Sequence, residues 1–159
     1  MKTTIVSDTS SLIIFAQLQR VNLLSNVFNK IIVPARVYSE IGQKEDDVLK
    51  IIDSSALFYI QSSADDHLLE MLSGILDYGE VEAIALAKES GHILLIDEKK
   101  GRRIAIAMHL KIIGFLGVLL LNYKQNRLTK EEAHSILNEA KQLQFRLSRK
   151  LENHFVSLL

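Results

Sequence analysis

The chain has no cysteine, which removes disulfides, thiolate metal centres and a cysteine nucleophile together. Tryptophan is absent too, and the aromatics amount to six Phe and four Tyr. No stacking platform for unpaired bases is therefore evident. One proline and seven glycines in 159 residues leave no flexible linker, and there is neither an internal repeat nor a low-complexity tract. That length suits one compact domain with its own core. The apolar stretch at Thr3–Val6 is too short for a signal peptide. The longest near-apolar run, 112–121, falls short of the roughly 20 residues of a membrane helix and contains two glycines. The expectation is a cytoplasmic protein without a membrane segment. No G-x-G-x-x-G or Walker A loop occurs, which argues against dinucleotide or NTP use. Asp8-Thr9-Ser10 lacks the second aspartate of a D-x-D phosphotransferase motif, and no G-x-S-x-G elbow is present. The five histidines (67, 92, 109, 134, 154) show no metal-ligand spacing.

Excess charge is lacking as well, because the net charge is zero. Its distribution is uneven. Residues 1–97 carry 7 Lys/Arg and 14 Asp/Glu, whereas residues 98–159 carry 12 and 5. An acidic part followed by a basic part would suit a metal site beside a phosphate-binding surface, although clustered solvated side chains give the same pattern.

What is present is an alternation of strands and helices. Thr3–Val6, Ile31–Val33, Leu57–Ile60, Ile93–Ile96 and Lys111–Ile113 are short apolar or β-branched strands. Helical spacing predicts a helix running from the Thr9-Ser10-Ser11 cap through Leu12, Phe15, Ala16 and Leu18 to Val21. A second helix opens with Pro34 at its first position and turns Val37 and Ile41 inward. Further helices are expected over 46–54, 65–72, 81–89 (closed by Gly91 as a left-handed cap), 98–108 and 116–126. Thr129 and Glu132 form a capping box that opens a helical tail of two helices to residue 159. Strands apolar on both faces mean a parallel sheet covered on both sides. Such sheets carry their chemistry at the carboxyl ends of strands.

That rule selects Asp8 and Asp97, each after an apolar strand; either could also serve only as a helix cap. Glu40 lies three residues after Val37 and beside Ile41, near a buried face, and Glu80 opens a helix whose dipole favours a carboxylate. Glu82, about 200° further round, is expected to face solvent. Carboxylates at about 4 Å repel by roughly 4 kcal/mol per pair at an effective dielectric of 20. Four of them together need a cation or shared protons. All-oxygen ligation suits Mg²⁺ or Mn²⁺ rather than Zn²⁺. Lys99, Lys100, Arg102 and Arg103 follow Asp97 and are candidates for holding phosphates; a solvated helix face would read the same.

Five ordered blocks carry a resemblance. They are Val6–Leu12, Ile32–Pro34 with Val37–Ile41, Leu76–Ala87, Leu94–Arg103 and Gly114–Leu120, with Phe145–Ser148 in the tail. In this order they resemble the PIN-domain family, and within it a VapC-like branch of bacterial and archaeal proteins. The resemblance implies an α/β/α three-layer sandwich around a short, mostly parallel central sheet over residues 1–128, with a helical C-terminal extension over 129–159. It implies an acidic site of Asp8, Glu40, Glu80 and Asp97, with Ser10 as polar support. It further implies Mg²⁺- or Mn²⁺-dependent cleavage of RNA by a toxin-type endoribonuclease, a small antitoxin as partner, and a homodimer. One departure is Phe115, where the branch often carries a small hydroxyl residue. A bulky ring there would narrow the site and favour the alternative of an inactive RNA- or protein-binding module.

Overall fold

The computed structural model describes residues 3–159. Five strands form one sheet: β1 (Thr3–Ser7), β2 (Phe28–Pro34), β3 (Phe58–Gln61), β4 (Ile93–Leu95) and β5 (Ile112–Ile113). Every pairing is parallel, in the order β3-β2-β1-β4-β5. The chain builds outward from β1 to β3, then crosses back to place β4 on the other side of β1. The order thus reverses between β1 and β4, the position at which open α/β sheets leave a crevice beyond their strand ends.

Alternation along the strands divides the interior in two. Ile5, Ile31, Val33 and Leu95 face one core, which is shared with Phe15, Val37, Ile41, Phe115 and Val118. Val6, Ile32, Leu94 and Ile96 face the other, shared with Leu68, Leu72, Val81, Ile84 and Ala105. Each such Val, Ile or Leu contributes about 1.5–3 kcal/mol on burial. Helices therefore cover both faces, as the apolar strands require. The first core receives α1 (Thr9–Gln17), α2 (Asn22–Ser25), α3 (Ala35–Lys44), α4 (Asp46–Asp53) and α8 (Phe115–Lys124). The second receives α5 (Asp66–Ser73), α6 (Tyr78–Ser90) and α7 (Lys99–Ala107). The tail helices α9 (Lys130–Gln142) and α10 (Arg149–Ser157) lay Ala133, Ile136, Leu137, Ala140 and Phe155 into the first core. Among the described residues, no helix is long and apolar enough to cross a membrane.

Three expectations need correction. The helix expected to run through Val21 stops at Gln17, because Gln19 turns left-handed (φ 57°) and the Arg20 N–H closes onto the Phe15 carbonyl. Pro34 ends β2 and caps α3 from outside rather than occupying its first turn. Glu82 does not face solvent. It is 4% exposed, because α6 is buried on every side from Gly79 to Ala87 and has no polar face to offer there. Its carboxylate accepts the Arg36 N–H at 2.8 Å and the Ser63 N–H at 3.2 Å. Two turns on, Glu89 accepts from the Ser63 hydroxyl and from the N–H groups of Ala64 (3.2 Å) and Asp65 (3.0 Å).

Candidate active site

Asp8 leaves β1 as the N-cap of α1, with Oδ1 accepting the Ser11 N–H at 3.0 Å. Its own N–H donates to the Leu95 carbonyl, and its Oδ2 accepts the Asp97 N–H at 3.4 Å. The two strand-end aspartates are thus neighbours across the β1–β4 crevice. Asp97 is not a helix cap for α7, which Glu98 caps. Its carboxylate accepts the Phe115 N–H at the start of α8 (3.0 and 3.2 Å) and the Ser11 hydroxyl at 2.6 Å. Ser11 therefore ties both aspartates together, amide to one and hydroxyl to the other.

The glutamates arrive from helices. Glu40, on α3, accepts the Thr9 hydroxyl at 3.1 Å and the Gly79 N–H. Glu80 closes a capping box with Asp77 at the start of α6, its Oε1 accepting the Asp77 N–H at 3.4 Å. Its Oε2 is buried and, among the described residues, has no hydrogen-bond partner. Asp8, Glu40 and Glu80 line one cleft of about 150 Å³, together with Thr9, Ser10, Ile13, Lys44, Asp77 and Glu98. Asp97, hydrogen-bonded to Asp8, lies outside that lining. Among the described residues, no three acidic or histidine side chains stand close enough to hold a metal ion as they are.

Burial dominates the electrostatics. It pushes the Asp8 carboxyl up to about 7, with the nearby charge of Asp97 adding to the rise and the Ser11 bonds opposing it. Burial likewise raises Glu80 to about 7, and the charges of Asp77, Glu98 and Glu40 add to that. Asp97 is also raised by burial, against the opposing Ser11 and Phe115 bonds and the Arg102 charge. Two carboxyls of one cleft raised to near neutrality by burial mark it as the candidate site.

The basic run divides. Lys99, Lys100 and Arg103 are exposed on α7. Arg102 turns inward, donating from Nη1 to the Ile96 carbonyl at 2.7 Å beside Asp97. Ser10 is exposed at the cleft, and its neighbour Ser11 makes the bonds to the aspartates. The Phe115 ring is fully buried, 5.1 Å from the rings of both Phe15 and Phe145. Only its backbone meets Asp97, so the ring does not narrow the cleft.

Several residues escaped the sequence reading. Lys44 lines the cleft with its ammonium 3.9 Å from Glu40 Oε2; it sits one helical turn beyond Glu40, which could have drawn notice. Three glycines each leave room for a carboxylate. A Cβ on Gly79 would stand 2.6 Å from Glu40 Oε1, one on Gly101 2.6 Å from Glu80 Oε2, and one on Gly114 2.7 Å from Asp97 Oδ1. Gly101 was the legible one, since a glycine inside a helix costs about 1 kcal/mol against alanine and wants a reason.

The parallel sheet and the carboxylates at its reversal point define an α/β protein with an acidic strand-end site. A family model described as a PIN domain matches residues 4–159. The chain belongs to the PIN-domain family, whose members are generally nucleases. No curated protein matches it.

Proposed function

We propose that the protein is a Mg²⁺- or Mn²⁺-dependent endoribonuclease. The observation that carries this is that Asp8 and Glu80 line one cleft, both buried and both with carboxyls raised to about 7. The donorless Oε2 of Glu80 and the all-oxygen set fit a hard dication. Mg²⁺ commonly takes only one or two protein carboxylates and completes its shell with water and substrate phosphate, so a closed protein cage is not needed. Asp8 and Glu80 would hold the ion at the cleft, with Glu40 and Asp97, the other two acidic residues the family resemblance implies, orienting the site around it. When bound it supplies an activated water and offsets charge growing on the phosphodiester.

The rest is the work of the chain itself. The Phe115 amide and Ser11 hydroxyl fix Asp97, and the Gly79 amide and Thr9 hydroxyl fix Glu40, so the carboxylates are oriented before substrate arrives. Lys44 meets a phosphate at the cleft, and Lys99, Lys100 and Arg103 steer the backbone from α7. Arg102, beside Asp97, moderates the acidic charge. By the same resemblance, a small antitoxin covers the cleft and the chain forms a homodimer; co-expression and sedimentation test both. The alternative of an inactive binding module draws no support from Phe115, whose ring lies in the core.

The experiment is RNA cleavage with Mn²⁺ by the wild type and by folded Asp8→Asn. The expected loss is at least 100-fold. Equal cleavage by the two proteins removes the proposal.

A further inference from the structure

Tyr78 stays 59% exposed. Exposure of one tyrosine is ordinary; its location is what matters. Tyr78 is the first residue of α6, and the next amide, that of Gly79, donates to Glu40. The backbone on either side of Tyr78 thus borders the acidic cleft, which Asp77 lines. Across from it lies Arg36, its guanidinium carbon 4.4 Å from the ring centroid. Arg36, Glu40 and Lys44 follow one another at four-residue spacing along α3, which puts them on one stripe. Glu40 and Lys44 line the cleft. The Arg36 backbone amide is in turn held by buried Glu82, which fixes the start of α3 at the same margin.

We propose that Tyr78 and Arg36 bind one unpaired nucleotide beside the scissile bond, its base stacked on the open face of the ring and its phosphate on the guanidinium. This rests on the nuclease reading and deepens it by naming the residues that receive one base of the substrate. One face of the ring lies under the guanidinium, and the base takes the other, with 59% of the residue exposed. A base presents a π-face whatever its identity, so such a platform is tolerant of sequence. Arginine adds a planar, permanently charged fork suited to phosphate. A base held in a duplex cannot turn onto the ring.

The test uses short single-stranded RNAs, identical except for an abasic residue placed at successive positions, with binding and cleavage followed separately. For the wild type, one abasic position raises KM on the order of 10-fold, with kcat little changed. Tyr78→Ala shows the same rise on the intact RNA and no further rise on the abasic one, and Tyr78→Trp restores wild-type KM. Intact RNA handled equally by wild type and Tyr78→Ala overturns the proposal. So does an equal loss on intact and abasic RNA, which marks a structural role for the ring. Tyr78-dependent binding without any cleavage leaves this inference standing and ends the hydrolytic reading. No binding of any oligonucleotide ends both.

Discussion

Replacing Asp8 by asparagine tests the charge congestion without reference to substrate. The carboxyl is raised from 3.8 to about 7 in the folded chain. At about 1.4 kcal/mol per pH unit, holding it ionised above pH 7 costs the native state about 4 kcal/mol. The folded state binds the proton more tightly than the unfolded one, so this contribution favours folding at low pH. It is lost as pH rises from about 4 to about 7 and is constant beyond. Asparagine keeps an acceptor for the Ser11 N–H but turns a donor toward the Asp97 N–H, a loss of about 1–2 kcal/mol. In EDTA at pH 8, Asp8→Asn is therefore more stable than the wild type by about 2–3 kcal/mol. For a chain of this size that is about 5–10 °C in melting temperature. At pH 4 the order reverses. Glu80, also raised to about 7, retains part of the pH slope in the mutant. Mn²⁺ at pH 8 lifts the wild type and leaves the mutant nearly unmoved, since a ligand stabilises only the state that binds it. Thermal melts across pH 4–8 decide the matter. A mutant that melts below the wild type at pH 8, or shows an unchanged slope, refutes the reasoning.

Other substitutions probe the supports around the carboxylates. Gly101→Ala places a Cβ 2.6 Å from Glu80 Oε2, and a displaced reactive group costs on the order of 100-fold in kcat; circular dichroism should show the helix intact. Ser11→Ala removes the 2.6 Å bond to Asp97, lowers stability by about 1–2 kcal/mol and raises the Asp97 carboxyl further, moving the acid limb of the pH–rate profile upward. Phe115→Ala empties a buried site between Phe15 and Phe145 and costs about 3–5 kcal/mol by urea denaturation. Phe115→Leu should leave cleavage within about threefold of wild type, because the backbone amide that reaches Asp97 remains; a large rise in activity would show that the ring obstructs the cleft after all.

How far the sequence could be read depended on where the deciding contacts lie. The strands were legible because Ile31–Val33 and Ile93–Ile96 are apolar on both faces, and a parallel sheet follows from that alone. Asp8 and Asp97 were legible from the same rule, as residues beyond strand ends. Glu82 was misread because helical periodicity presumes one solvent face, and α6 has none over its first turns. Ser11 escaped because its two bonds join residues 3 and 86 positions away, and the second span leaves no local trace. The glycine clearances are likewise properties of neighbouring elements. Phe115 looked like an intrusion because sequence does not tell a residue's amide from its ring, and here they point into different surroundings.

The carboxylates of Glu82 and Glu89 give the segment after β3 an unusual vulnerability. Residues 63–65 belong to no helix or strand, yet their amides are held by side chains of a deeply packed helix. In hydrogen exchange the Ser63 amide, held by buried Glu82, should resist as secondary structure does. Removing those two acceptors together, by Glu82→Ala with Glu89→Ala, would release this corner first, ahead of the strands it borders, so the earliest opening would start beside the edge strand rather than at either terminus.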